Sequence, residues 1–77
     1  MKRIQILGTG CPKCKLLFAN AEAAIQSAGI EAQIEKVEKI VDIMKIGVMS
    51  TPALVVDGQV KSVGKVLSSD DIQKHLT

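Results

Sequence analysis

Seventy-seven residues carrying a net charge of +2 set the bounds of one small domain, residues 1–77. That charge is too slight for a nucleic-acid footprint, and one Phe with neither Trp nor Tyr offers no aromatic platform for stacking bases. Apolar residues at 47% suffice for a core, necessarily an aliphatic one, yet no run approaches the ~20 apolar residues of a membrane span or the roughly 7–15 of a signal-peptide core.

The first predicted element is a strand, "RIQIL" from Arg3 to Leu7, alternating and rich in Ile. "GTG" breaks it. Pro12 suits the first position of a helix, where its missing N–H would be unpaired anyway. From there Cys14, Leu17, Phe18, Ala21, Ala24, Ile25 and Ala28 recur at helical spacing as one apolar stripe, and Gly29 supplies a left-handed end. Ile30 to Val37 alternates again as a second strand. "EKIVDIMKIG" predicts a short helix with Ile40, Ile43 and Met44 on its apolar face, stopped at Gly47.

"ALVV" and "QVKSV" flank Asp57-Gly58, the strongest short-range signal of a hairpin. "SSDDIQKHL" closes the chain as a helix capped by Ser68 or Ser69, with acids in its first turn and Lys74 and His75 near its end. The order is βαβαββα. Two strands joined by a helix pair in parallel with a right-handed crossover, and the hairpin adds an antiparallel pair.

Cys11 and Cys14 are the only cysteines. Helical residues three apart lie about 5–6 Å apart at Cβ, and a disulfide tolerates Cα separations of about 4.4–6.8 Å, so the pair can close. The two sulfurs are not equivalent. Cys11 falls at the helix N-cap, where free N–H groups and the helix dipole favour a thiolate, and Lys13 and Lys15 add positive charge. Cys14 heads the apolar stripe, and burial disfavours its charged form.

Other uses of the pair compete. A permanent staple would close too short a loop to constrain the unfolded chain much. Structural zinc wants four ligands, and only His75 offers a distant third. A two-coordinate Cu(I) carrier needs the pair alone. Met44 and Met49 read as core or loop filler rather than as ligands.

"CPKC" together with "GVMSTPALVVDGQVKSVG" resembles the thioredoxin-fold family, in its small, glutaredoxin-like form of redox-active disulfide protein. The resemblance covers nearly the whole chain. It implies an α/β, thioredoxin-like fold: three helices and a four-stranded mixed sheet in which the second strand lies at one edge, followed by the first, third and fourth. It implies a thiol–disulfide oxidoreductase with Cys11 as nucleophile and Cys14 as resolving thiol. It also implies a cis Thr51–Pro52 bond facing the cysteines and a Thr51 backbone that pairs with an extended substrate. Gly64 would leave room for the partner's backbone, and Gly10, Pro12 and Lys13 would complete the substrate-binding surface.

On that resemblance the redox centre is the cysteine pair itself, with no metal and no organic cofactor. The partners would be a disulfide-containing protein and an electron-donor reductase, with no nucleic acid and no membrane. The chain is expected to act as a cytoplasmic monomer, in a compartment where thiols are kept reduced.

Three departures from the family pattern stand out. No aromatic residue precedes or occupies the CxxC. Gln5 stands near the place of the family's buried acid, beside the expected position of Cys14. The second glycine that glutaredoxins carry after the last strand is missing, and Asp70 and Asp71, similar to the acidic helix start of those proteins, also read as simple capping. The competing binding module, a soft-metal carrier of the heavy-metal-associated kind, orders its elements βαββαβ and has no need of Ser-Thr-Pro opposite its cysteines. A regulatory relative that kept the pair but lost efficient turnover is the third alternative.

Overall fold

The computed structural model describes residues 2–76; Met1 and Thr77, the two ends of the expected 1–77 domain, lie outside the described residues. Strand β1 (Lys2–Leu7) alternates its side chains between two faces of a sheet. Ile4 and Ile6 go to one face and Leu7 to the other, all buried. Helix α1 (Pro12–Ala28) follows, with Pro12 in its first turn and Gly29 ending it in the left-handed region at φ 65°. Strand β2 (Ala32–Val37) pairs in parallel with β1, Lys2 opposite Ala32 through Leu7 opposite Val37. It begins two residues later than the alternation predicts. Ile30 and Glu31 carry the chain from the Gly29 cap back to the sheet, where the Glu31 carbonyl accepts from Lys2 N–H at 3.3 Å.

Helix α2 (Ile40–Ile46) is short and ends at Gly47 with φ 92°. Strands β3 (Ala53–Val56) and β4 (Gln59–Val63) form the hairpin about Asp57-Gly58, both with positive φ. β3 lies antiparallel to β1, so the order across the sheet is β2-β1-β3-β4, the expected architecture. The β3–β4 register shifts between Leu54 and Val55: Leu54 faces Ser62 and Val55 faces Val60, leaving Lys61 without a partner as a bulge. Helix α3 (Ser69–Leu76) starts after Ser68, whose hydroxyl accepts from Asp71 N–H at 3.2 Å, so Ser68 rather than Ser69 is the cap.

Two apolar clusters hold the layers together. Ile4, Ile6, Leu54 and Val56 pack under Leu17, Ala21 and Ala24 of α1 and under Ile72 and Leu76 of α3. On the opposite face Leu7, Ala53 and Val55 pack with Ile43 and Val48. Each fully buried Leu or Ile contributes roughly 1.5–3 kcal/mol by leaving water. β3 is buried at all four positions, which is why "ALVV" lacks the alternation of a one-sided strand. One expectation about α2 is corrected. Only Ile43 is buried, while Ile40 and Met44 stand 63% and 68% exposed, because this helix of about two turns packs on the sheet through Ile43, with Ile46 half-buried beside it.

Candidate active site

The end of β1 and the start of α1 place the two cysteines. Cys11 is the N-cap residue, with extended backbone at φ −68° and ψ 162°, and Pro12 takes the first helical position. A cap normally uses a side-chain oxygen to satisfy an early helix N–H. Here sulfur does this: Cys14 N–H donates to Cys11 Sγ at 3.3 Å. Both thiols are free, Cys11 half-buried and Cys14 only 6% exposed.

Their electrostatics diverge accordingly. Cys11 is held below the ordinary cysteine value, first by its hydrogen bond with the Cys14 thiol and then by the Cys14 backbone N–H. Cys14 is pushed up, first by burial and then by the same thiol–thiol hydrogen bond, which favours its proton. The lysines play a different part from the one expected. Lys13 acts on Cys11 through its backbone N–H, and Lys13 and Lys15 both extend into solvent, where charge is screened.

The loop before β3 reaches the same junction, with Thr51 beside Gly8. Thr51–Pro52 is a cis peptide, with Thr51 exposed and Pro52 buried. The Pro52 carbonyl accepts from Gly64 N–H at 2.8 Å, which ties this loop to the end of β4. Gly64 has φ 72° and sits against Ser50, where a Cβ would lie 3.5 Å from the Ser50 Cβ. The fold therefore gathers Gly10, Cys11, Pro12, Lys13 and Cys14 at the start of α1 and joins Thr51, Pro52 and Gly64 in a second loop. Gly8 marks where the two meet.

Gly8 is the residue that sequence reasoning missed. A Cβ built on it would overlap Cys14 Sγ, come within 3.0 Å of Cys14 Cβ and lie 3.9 Å from Thr51 Cβ. Its role is steric: the absent side chain is the space the buried sulfur occupies. The signal was present in strand alternation, since position 8 continues the Ile4–Ile6 face that lies under α1.

Gln5 is not beside Cys14. It shares its face with Arg3 and Leu7, opposite the face that Ile4 and Ile6 turn toward α1. Its amide donates to Glu35 Oε1 at 2.7 Å, and Arg3 pairs with the same oxygen at 2.9 Å. Glu35 is held below the usual carboxylate range by Arg3 first and Gln5 second. Gln5→Asp is accordingly expected to leave the Cys14 titration unchanged, because the new carboxylate would face Glu35 on the other side of the sheet. A shift of the Cys14 titration in that variant, followed by NMR or thiolate absorbance, would contradict the placement.

An apolar groove of about 410 Å³ adjoins the site, lined by Thr9, Ile40, Ile43, Met44, Val48, Met49 and Thr51. Met44 is thus not core filler, and Met49, 99% exposed, stands at the groove's rim beside Thr51. His75 lies in the last turn of α3, and among the described residues no group of three or more His, Cys, Asp or Glu side chains is placed to hold a metal ion. No helix among them is long and apolar enough to cross a membrane.

An N-cap thiol, a buried second thiol three residues on and a cis-proline loop that meets them at Gly8 define a dithiol site on an α/β scaffold. Residues 2–77 match the family described as thioredoxin domain. The chain is 42% identical to a thioredoxin of Methanothermobacter thermautotrophicus, over the whole length of both proteins. It is 37% identical to a thioredoxin of Methanocaldococcus jannaschii, covering 95% of this chain and 84% of that one. The chain belongs to the thioredoxin family, a family of thiol–disulfide oxidoreductases. Nothing in these likenesses favours the soft-metal carrier.

Proposed function

We propose that the protein, acting as a single domain of residues 1–77, reduces or exchanges protein disulfides through the Cys11–Cys14 pair. Cys11 thiolate attacks one sulfur of a substrate disulfide and expels the other as a thiolate. Cys14 thiolate then attacks Cys11 Sγ, the bond from Cys11 to the substrate sulfur breaks, and that sulfur leaves as a thiolate, so the dithiol has become a disulfide and its two electrons have reduced the two substrate sulfurs. A reductase partner returns the pair to the dithiol. No metal or organic cofactor takes part, and the protein works as a cytoplasmic monomer.

The observation that carries this reading is the opposed pull on the two thiols, one sulfur capping a helix and the other buried beneath it. Substrate binding follows from the surroundings. The exposed backbone at Thr51 offers an extended peptide a strand to pair with, and Gly10, Pro12, Lys13 and Gly64 border it. The groove at Ile40, Met44 and Met49 supplies the apolar docking surface that a chain with no aromatic residue at the CxxC would otherwise lack.

The test is kinetic alkylation of the reduced protein followed by peptide mapping. At about pH 7 the thiolate fraction is larger on Cys11, whose value is lowered, than on Cys14, whose value is raised. Cys11 should therefore be modified first, and the selectivity should narrow as rising pH ionises Cys14. Preferential labelling of Cys14 would reverse the assignment.

A further inference from the structure

Beyond Met1 the chain has two methionines, Met44 and Met49, and both line the apolar groove beside the site. Met44 belongs to α2 and Met49 to the loop before β3, the first largely and the second almost fully exposed. Buried Ile43 and Val48 and exposed Ile40 complete the apolar lining, and Thr9 and Thr51 are its polar members. Thr51 also carries the backbone proposed to pair with an extended substrate, so the groove continues that binding surface. Its occupant is then a segment of a disulfide-bearing protein, with side chains near the half-cystine leaving water there.

The other large apolar side chains exposed among the described residues, Leu16, Ile40, Val41, Val60 and Val63, are hydrocarbon and chemically inert. Met44 and Met49 are not, because a thioether sulfur has lone pairs open to two-electron oxidants. The product, methionine sulfoxide, is polar where the parent side chain is apolar. A sulfoxide covered by a partner that offers it no hydrogen-bond donor weakens binding. The cysteine pair answers the same oxidants differently. Its oxidised form is the disulfide, which a thiol donor returns to the dithiol, whereas the sulfoxide needs a dedicated reductase.

We propose that Met44 and Met49 form a peroxide-responsive modification site, whose oxidation to sulfoxide turns the docking groove polar and weakens binding of protein substrates without altering the dithiol. The inference rests on the dithiol reading above. The thioether lone pair attacks one oxygen of hydrogen peroxide, and the O–O bond breaks. The sulfur keeps that oxygen, and the proton on it passes to the departing hydroxide, giving water. The sulfur has lost two electrons and the peroxide has gained them. Met49, the more exposed of the two and next but one to Thr51, is the first to react.

The experiment treats the protein, in its Cys11–Cys14 disulfide form, with hydrogen peroxide, removes the oxidant and reduces with dithiothreitol. That restores both thiols and leaves any sulfoxide in place, which peptide mass spectrometry locates. Reduction of insulin then reports reaction with a protein disulfide. Stopped flow with a chromogenic aryl disulfide reports the chemistry alone, the first aryl thiolate marking attack by Cys11 and the second marking resolution by Cys14. In the oxidised parent kcat/KM for insulin should fall by about tenfold, mainly through KM, while both aryl phases stay within about twofold. Methionine sulfoxide reductases acting on both sulfoxide epimers should return the insulin rate. The Met44→Leu, Met49→Leu double variant, compared with its own untreated sample, should show no loss, and Met1, present in both proteins, is thereby held constant. Absence of oxygen on Met49, an unchanged insulin rate in the oxidised parent, equal slowing of the aryl phases, or the same loss in the double variant would overturn the assignment to the groove. An untreated parent that releases no aryl thiolate would overturn the dithiol reading itself.

Discussion

Cys11→Ser protein is expected to turn over no disulfide above the protein-free rate and to trap no partner. Cys14→Ser is expected to attack once and stall, holding the substrate as a stable mixed disulfide through Cys11. The difference follows from what each sulfur touches. Cys11 is reachable from solvent and is stabilised as a thiolate by the Cys14 N–H and thiol. Cys14 is 6% exposed, so a protein disulfide cannot reach it, and burial holds its proton in place. Non-reducing electrophoresis and mass spectrometry of each variant after incubation with an oxidised protein would read the outcome. Trapping by Cys11→Ser, or its absence in Cys14→Ser, would show that the roles are exchanged.

Gly8→Ala is expected to damage both stability and resolution. The added methyl would overlap Cys14 Sγ and crowd Cys14 Cβ, so the sulfur must leave its rotamer or the β1–α1 junction must shift. Overpacking of this kind costs about 1–3 kcal/mol. In a domain of this size each kcal/mol lowers Tm by about 4–8 °C. Release of the mixed disulfide should slow as well, since the attacking sulfur no longer points where it did, while the first attack by Cys11 changes little. Adding Cys14→Ala to Gly8→Ala removes the sulfur that is struck and should return part of the lost stability. Parent values of Tm and of both reaction phases in Gly8→Ala would show that the site has slack the structure does not contain.

Much of the architecture is legible in residue pattern. Ile4 and Ile6 on β1, the Cys14–Leu17–Ala21–Ala24 stripe and the Asp57-Gly58 turn each obey a local period or a local backbone requirement. The strand order follows only through likeness to a family, because pairing of β1 with β3 across some fifty residues leaves no local signature. Pattern fails where a residue's surroundings come from distant elements. Ile40 and Met44 read as buried because they repeat at helical spacing, yet their side of α2 has no layer above it and becomes the wall of a groove. Gln5 sits one position from Ile6, and that single step puts it on the wrong side of the sheet for the cysteines. Gly8 belongs to the site through space, beneath the Cys14 sulfur. Only its place on the Ile4–Ile6 face marks it, and the "GTG" that Gly8 opens draws attention to the turn rather than to the space beneath α1.

The unpaired Lys61 has a consequence for how the molecule behaves in a crowd. A four-stranded sheet with open sides is a template on which further strands can pair. The bulge interrupts the regular row of amide and carbonyl groups on the outer side of β4 and sets a cation in the gap. Along β2 at the other border, Gln33, Glu35 and Lys36 are exposed, so an incoming copy meets polar and charged side chains rather than a bare apolar strip. Polymerisation of identical chains is thereby discouraged along both borders of the sheet.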